Sequence, residues 1–209
     1  MKEFFKRYDE IRDIKQTLAK RDWFLGTSGN LSIKVNDVPL QFLVTTSGKD
    51  KTKHTDDDFL LVNEFDQSIW DETKKPSAES ILHRLIYLRT NATCVLHVHT
   101  IANNLITKDF PAQKELSFSG IEIIKALGLW EEDSEIAIPI IKNHAHIPTL
   151  AEDFLPHIQN DHGAVLIHNH GITVWGTSAF EAKKHLEAYE FLFQYSLQGS
   201  SLHNLFIKN

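Results

Sequence analysis

Apolar residues along this chain recur at two spacings, and the changes between them predict its elements. Phe4, Tyr8, Ile11, Ile14 and Leu18 fall at helical intervals with charges between them, which predicts an amphipathic helix over residues 3–21. Leu31-Ser32-Ile33-Lys34-Val35 alternates as a half-buried strand does, and Phe42-Leu43-Val44 and Phe59-Leu60-Leu61-Val62 read as further short strands. Pro76-Ser77-Ala78-Glu79 opens a helix running to about residue 89, with Ser77 as N-cap and Glu79 complementing the helix dipole. Cys94 to Thr100 has the composition of a buried strand, and a helix follows from Ile101. Ile121 to Leu127 reads as a helix closed by Gly128. Glu135 to Pro139 alternates as a strand, and Thr149-Leu150-Ala151-Glu152 is a capping box for a helix that Pro156 kinks or ends. Gly163 to Ile167 and Ile172 to Gly176 are the last strands. A second capping box, Ser178-Ala179-Phe180-Glu181, starts a helix to about Gln198, with Phe180, Leu186, Tyr189, Leu192, Phe193 and Leu197 on its face.

Strands and helices alternate irregularly, with hairpin-like pairs among them and no repeat or linker. This predicts one α/β domain over residues 1–209, with a mixed, largely antiparallel sheet and helices on its faces. A hydrophobic content of 42% in 209 residues, with 13 Phe and 4 Trp, suffices for one large core. A single cysteine excludes a disulfide framework and points to a reducing, cytoplasmic setting. The segment from Met1 to Arg7 alternates charged and aromatic residues, so a secretion signal is not expected, and no apolar run approaches membrane-spanning length. A net charge of −6 argues against a nucleic-acid partner and leaves any attraction for an anionic ligand to local groups.

The candidate chemistry sits in two stretches. In Leu96-His97-Val98-His99, the period of a strand puts both histidines on one face and Leu96 and Val98 on the other. Two imidazoles so placed are either separately satisfied core residues or half of a metal site. The second stretch, Leu166-Ile167-His168-Asn169-His170-Gly171, again ends an apolar strand with histidines at i and i+2. Three imidazoles with an open position make a catalytic site for a divalent first-row metal, zinc being the first choice. Upstream, Gly26-Thr27-Ser28-Gly29-Asn30 and Thr45-Thr46-Ser47-Gly48-Lys49 expose backbone N–H groups and hydroxyls, as a phosphate cradle does and as ordinary turns also do. Lys49, Lys51 and Lys53 read as a solvated run in which only Lys49, next to Gly48, is a candidate contact. Glu79 is explained as well by helix-start chemistry as by a metal site.

His97-Val98-His99 together with His170-Gly171 resembles the zinc motif of the class II aldolase/adducin-head superfamily. Gly29-Asn30, Ser47-Gly48 and Pro76-Ser77-Ala78-Glu79 fall where that family has its phosphate loops and active-site glutamate. The resemblance implies a three-layer α/β/α domain, zinc on His97, His99 and His170, and a ketose phosphate held by Ser28, Gly29, Asn30, Ser47, Gly48, Lys49 and Ser77. Ala78 departs from the family's pattern, replacing a hydroxyl residue that the aldolases use on phosphate. Three runs are most similar to the family's sugar-phosphate dehydratases: Arg21-Asp22-Trp23-Phe24, Glu122 through Trp130, and Ile167 through Ile172. That branch implies dehydration, with Glu122 as main acid/base and Glu79 in support. The family also implies a homotetramer with active sites between subunits. The competing readings are an aldolase or epimerase on the same scaffold and a non-catalytic head of the adducin type, which needs no zinc ligands.

Overall fold

The amphipathic N-terminal segment folds as α1 (Lys2–Ala19), with Ile11, Ile14 and Leu18 buried along one stripe. The structure, a computed structural model, describes residues 2–109 and 114–206. After a 3-10 turn at Leu25–Thr27 come β1 (Asn30–Asn36), β2 (Gln41–Thr45) and β3 (Phe59–Asn63), then α2 (Ser80–Arg89) and β4 (Cys94–Val98). The chain continues through α3 (Ile101–Asp109), β5 (Glu115–Ser119), a 3-10 helix at Glu122–Leu127, β6 (Glu135–Ile141) and α4 (Ile147–Phe154). A 3-10 turn at Leu155–His157, β7 (Gly163–Ile167), β8 (Gly171–Gly176) and α5 (Ala179–Phe206) complete it.

The eight strands form one sheet in the order β3-β2-β1-β4-β8-β7-β6-β5. Every pairing is antiparallel except β6 with β7, so the sheet is mixed and largely antiparallel. Strand alternation splits the core in two. Leu31, Ile33, Leu43, Leu96, Val98, Leu166, Ile172 and Val174 meet α1, α3 and α5 on one face. Phe42, Val44, Val95, Val165, Ile167 and Trp175 meet α2 and α4 on the other. Helices on both faces give the three layers expected.

Several element boundaries differ from the pattern-based reading. The helix expected from Pro76 begins at Ser80, because Ser80 N bonds Ser77 O and closes a turn first. Ser77 is therefore not its N-cap, and Glu79 holds that place without a side-chain capping bond. α4 starts at Ile147 rather than at Thr149, since Pro148 suits the first turn of a helix. Instead of capping, Thr149 Oγ1 bonds His146 Nδ1 at 3.0 Å. The segment around Glu122 is a 3-10 helix, and it is preceded by β5, a strand that the pattern-based reading lacks and that buries Leu116 and Phe118 on one face. The Ser178 box forms: its Oγ accepts from Glu181 N at 3.1 Å, while Glu181 Oε2 accepts from Thr177 N at 2.7 Å.

Candidate metal centre

β4 delivers the first histidine. Its alternation sends Leu96 and Val98 into the α1/α3/α5 core and turns His97 to the opposite face, with His99 one residue beyond the strand. The two Nε2 atoms lie 2.8 Å apart, so at least one of them carries a lone pair toward the other. His170 joins them by a different route. Residues 168–170 form the tight turn between β7 and β8, with Asn169 at φ 50°, so His168 and His170 do not share a strand face as expected. The turn is pinned where Asn169 N donates to Thr107 Oγ1 at 3.0 Å and Asn104 Nδ2 donates to His170 O at 3.0 Å.

The three rings stand nearly perpendicular to one another, at 78°, 89° and 87°, with centroids 4.7, 5.1 and 4.5 Å apart. Glu79 completes the group: Oε2 lies 3.3 Å from His97 Nε2 and Oε1 lies 3.2 Å from His170 Nε2. The four donor atoms all lie within 4.8 Å of one another. Zinc–nitrogen bonds of about 2.0–2.1 Å place tetrahedral ligand atoms roughly 3.4 Å apart, close to these separations.

The electrostatics suit a cation as well. Burial, followed by the neighbouring His170, holds His97 well below the usual histidine range; burial, then His97 and His170, brings His99 to about 3. Both rings are neutral nitrogen donors at neutral pH. His97 Nδ1 faces Ile172 O at 3.0 Å and Thr173 Oγ1 at 3.1 Å, which makes it the protonated nitrogen and frees Nε2 for a ligand bond. His170 Nδ1 has a similar partner in Asn143 Oδ1 at 3.2 Å. Three imidazole nitrogens with one carboxylate form a donor set that fits zinc or another divalent first-row ion.

Two glycines let the backbone close on this group. A Cβ on Gly171 would stand 2.5 Å from Val98 O and 2.8 Å from His99 Cδ2; one on Gly29, at φ 72°, would stand 2.6 Å from His97 O. Beside Gly29, Asn30 pairs with His97 across β1 and β4, and its Nδ2 donates to Glu79 Oε2 at 2.8 Å. One β1 step further, Ser32 Oγ bonds His83 Nδ1 at 2.7 Å and Tyr87 OH at 2.6 Å. β1 and α2 are thus joined by two polar rungs, Asn30–Glu79 and Ser32–His83, and the carboxylate is carried on a buried framework. On the other side, buried Glu190 accepts from Thr100 Oγ1 at 2.8 Å and Asn103 Nδ2 at 2.9 Å, fixing the start of α3 directly after His99.

The expected phosphate loops draw together beside Glu79. Thr46 bridges to Pro76, Ser47 N donates to Lys75 O at 3.0 Å, and Ser77 Oγ accepts from Glu79 N at 3.4 Å. Gly48 is exposed at φ 69°, and Ser28 Oγ is buried with no hydrogen-bond partner. Lys49 is paired with Asp57 at 2.8 Å. Lys51, read as solvated, is instead only 5% exposed and turned inward. Its burial had no sequence signal, since the run Lys49-Asp50-Lys51-Thr52-Lys53 is polar throughout and four of its five residues are charged. His168 stays outside the cluster, its Nε2 buried without a partner. Glu122 is not brought to the cluster within one chain: its side chain is 83% exposed and its carboxylate pairs with Lys125 at 2.9 Å.

Residues 9–197 match the family model described as class II aldolase and adducin N-terminal domain. The chain belongs to that family. Among curated relatives, methylthioribulose-1-phosphate dehydratase of Geobacillus thermodenitrificans is 59% identical over 193 residues, 92% of each chain. The protein of the same name from Bacillus subtilis is 57% identical over 204 residues, 97% of this chain and 98% of its own. The solved L-fuculose-1-phosphate aldolase of Thermus thermophilus superposes with a TM-score of 0.74 at 21% identity, covering 95% of this chain and 97% of that one, a likeness of fold. In this class II aldolase domain a cavity of about 700 Å³ adjoins the cluster at His99, which lines it with Ser28, Trp23, Leu25, Ile101 and Leu105.

Proposed function

We propose that this protein is a hydro-lyase of methionine salvage, removing water from 5-methylthioribulose 1-phosphate to give 2,3-diketo-5-methylthiopentyl 1-phosphate, with one zinc ion per chain on His97, His99 and His170. The observation that carries this reading is the convergence of three imidazole Nε2 atoms and the Asn30-held carboxylate of Glu79 on one point. The chain's 57–61% identity to dehydratases of that name supports the choice of substrate. So does the cavity beside His99, whose apolar wall of Trp23, Leu25, Ile101 and Leu105 suits a methylthio end better than a sugar hydroxyl.

A divalent cation held by His97, His99 and His170 would supply Lewis-acid polarisation of the substrate carbonyl, which would acidify the adjacent C–H. The chain's own groups do the rest. Glu122 takes the C3 proton and returns a proton to the departing C4 hydroxyl; the C4–O bond breaks, water leaves, and the enol tautomerises to the diketone. Glu79, oriented by Asn30, contacts the substrate and supports the proton transfers. Ser28, the backbone at Gly29 and Gly48, Ser47 and Ser77 surround the phosphate, with Lys49, its charge already paired with Asp57, at the edge of that group.

Because Glu122 points to solvent on its own chain, it meets the cluster from a neighbouring copy, and a homotetramer with shared sites supplies that neighbour. Exposed Leu25 and Ile101 at the cavity, with exposed Trp130 just past the 3-10 helix that begins at Glu122, support an apolar contact between copies. The single cysteine supports a reducing, cytoplasmic setting.

Incubation with 5-methylthioribulose 1-phosphate, fuculose 1-phosphate and ribulose 5-phosphate tests the reading. Diketone absorbance from the first substrate alone is expected. Aldehyde release with no diketone would transfer the site to an aldolase, for which Glu79 in the cluster is the favouring observation.

A further inference from the structure

We propose that Lys51 is the cation of the phosphate subsite, reaching from the Ser47–Gly48 loop to the Gly26–Asn30 loop to meet the substrate's phosphate. The proposal rests on the ketose phosphate reading above and adds a residue to it. Of the three lysines after Gly48, two are already neutralised. Lys49 Nζ lies 2.8 Å from Asp57 Oδ2, and exposed Lys53 Nζ lies 3.5 Å from Asp50 Oδ2. Lys51 differs. Its ammonium donates to Thr27 O at 2.7 Å and lies 6.0 Å from the Phe24 ring centre, and no carboxylate among the described residues pairs with it.

A buried ammonium with one carbonyl partner and no counter-ion is costly, and an anionic ligand relieves that cost. Burial first, then the neighbouring charge of Lys15, lowers Lys51 to about 8, so the group remains mainly protonated at neutral pH. The nearby carboxylate of Glu79, whose charge favours the ammonium, is committed to Asn30, His97 and His170. Lys51 thereby leaves one positive charge without a counter-ion among the described residues where two loops rich in hydroxyls and N–H groups meet, and the third loop is tied in by the Thr46–Pro76 bridge. In a chain of net charge −6, such a local charge gives a phosphate dianion its attraction. A lysine acts on phosphate as a point charge, so bidentate geometry is not needed.

The test titrates inorganic phosphate by calorimetry into wild-type protein, Lys51→Met and Lys51→Arg, alongside kcat and KM for 5-methylthioribulose 1-phosphate. Lys51→Met keeps the packing of the side chain and removes its charge. It is expected to weaken phosphate binding and raise KM by roughly 10- to 100-fold, with a much smaller change in kcat. Lys51→Arg is expected to recover most of the phosphate affinity. Unchanged phosphate affinity in Lys51→Met, or a fall in kcat with KM untouched, would overturn the proposal and leave Lys51 a tether for Thr27. Should Lys51→Met not fold, wild-type protein with ¹⁵N-labelled lysine gives a second measurement. The Lys51 ammonium resonance, assigned by its absence in Lys51→Arg, should shift on adding phosphate, and a fixed resonance contradicts the proposal. Phosphate bound through Lys51 in a protein that yields no diketone would sink the substrate reading while the lysine's role stood.

Discussion

Asn30 Nδ2 donates to Glu79 Oε2 at 2.8 Å, and through this bond the first residue of β1 aims a carboxylate at the histidine cluster. Asn30 is buried and its Oδ1 has no partner, so the side chain's bonding is given over to Glu79. Charge-assisted bonds of this type contribute about 1.5–3 kcal/mol. Asn30→Ala is therefore expected to lower kcat roughly 10- to 100-fold with metal retained, and Asn30→Asp to lower it further by setting two carboxylates together. Steady-state kinetics with metal content measured on the same samples checks both. Wild-type kcat in Asn30→Ala would remove the carboxylate's orientation from the mechanism.

Thr173 Oγ1 stands 3.1 Å from His97 Nδ1, beside Ile172 O at 3.0 Å. A partner of this kind fixes the tautomer of a metal-binding histidine, and its loss typically weakens metal affinity about 10- to 100-fold. Thr173→Val, nearly isosteric, is expected to show that weakening in a chelator competition titration, with the fold intact by circular dichroism.

Glu122 and the histidines belong to different chains in the proposed assembly, which makes complementation a direct check. Glu122→Gln and His97→Ala should each be inactive alone. Mixed and reassembled, they should regain activity in about a quarter of the sites, the share that random pairing of chains around a closed ring leaves intact. No recovery, with mixed oligomers shown by mass spectrometry, would place both residues' chemistry within one chain.

Glu190 is buried, and burial raises it from 4.5 to about 7 against the opposing bonds from Thr100 and Asn103. A carboxyl raised in the folded state binds its proton more tightly there than in the unfolded chain. Its stabilising contribution is thus full below pH about 4.5 and is lost as pH rises toward 7. Glu190→Gln, which cannot ionise, should flatten that part of the melting-temperature profile between pH 5 and 7. A slope identical to wild type would contradict the shift.

Much of this architecture is readable in the sequence because pattern and packing agree. The strands around Leu96 and Leu166, and the helix behind Ser178, have apolar periods that match their final burial. The failures have local causes. Turn closure by Ser77 O delayed α2, and Pro148 moved α4 forward, both being backbone effects that side-chain capping patterns do not reveal. At the site, the His97/His99 pair follows from strand period alone, but His170 reaches the cluster through a turn at Asn169, so its proximity to them depends on tertiary folding. Lys51 was hidden for the same reason: nothing in a run of charges marks which member the loop at Thr27 will cover.

The most direct measurement is metal content and diketone formation on purified wild-type protein and His97→Ala, using 5-methylthioribulose 1-phosphate. Wild type should carry about one zinc per chain, as a three-histidine site with an open position does, and should form the diketone phosphate. His97→Ala should lose both. A metal-free wild type that dehydrates the substrate at full rate would contradict the metal-centred mechanism.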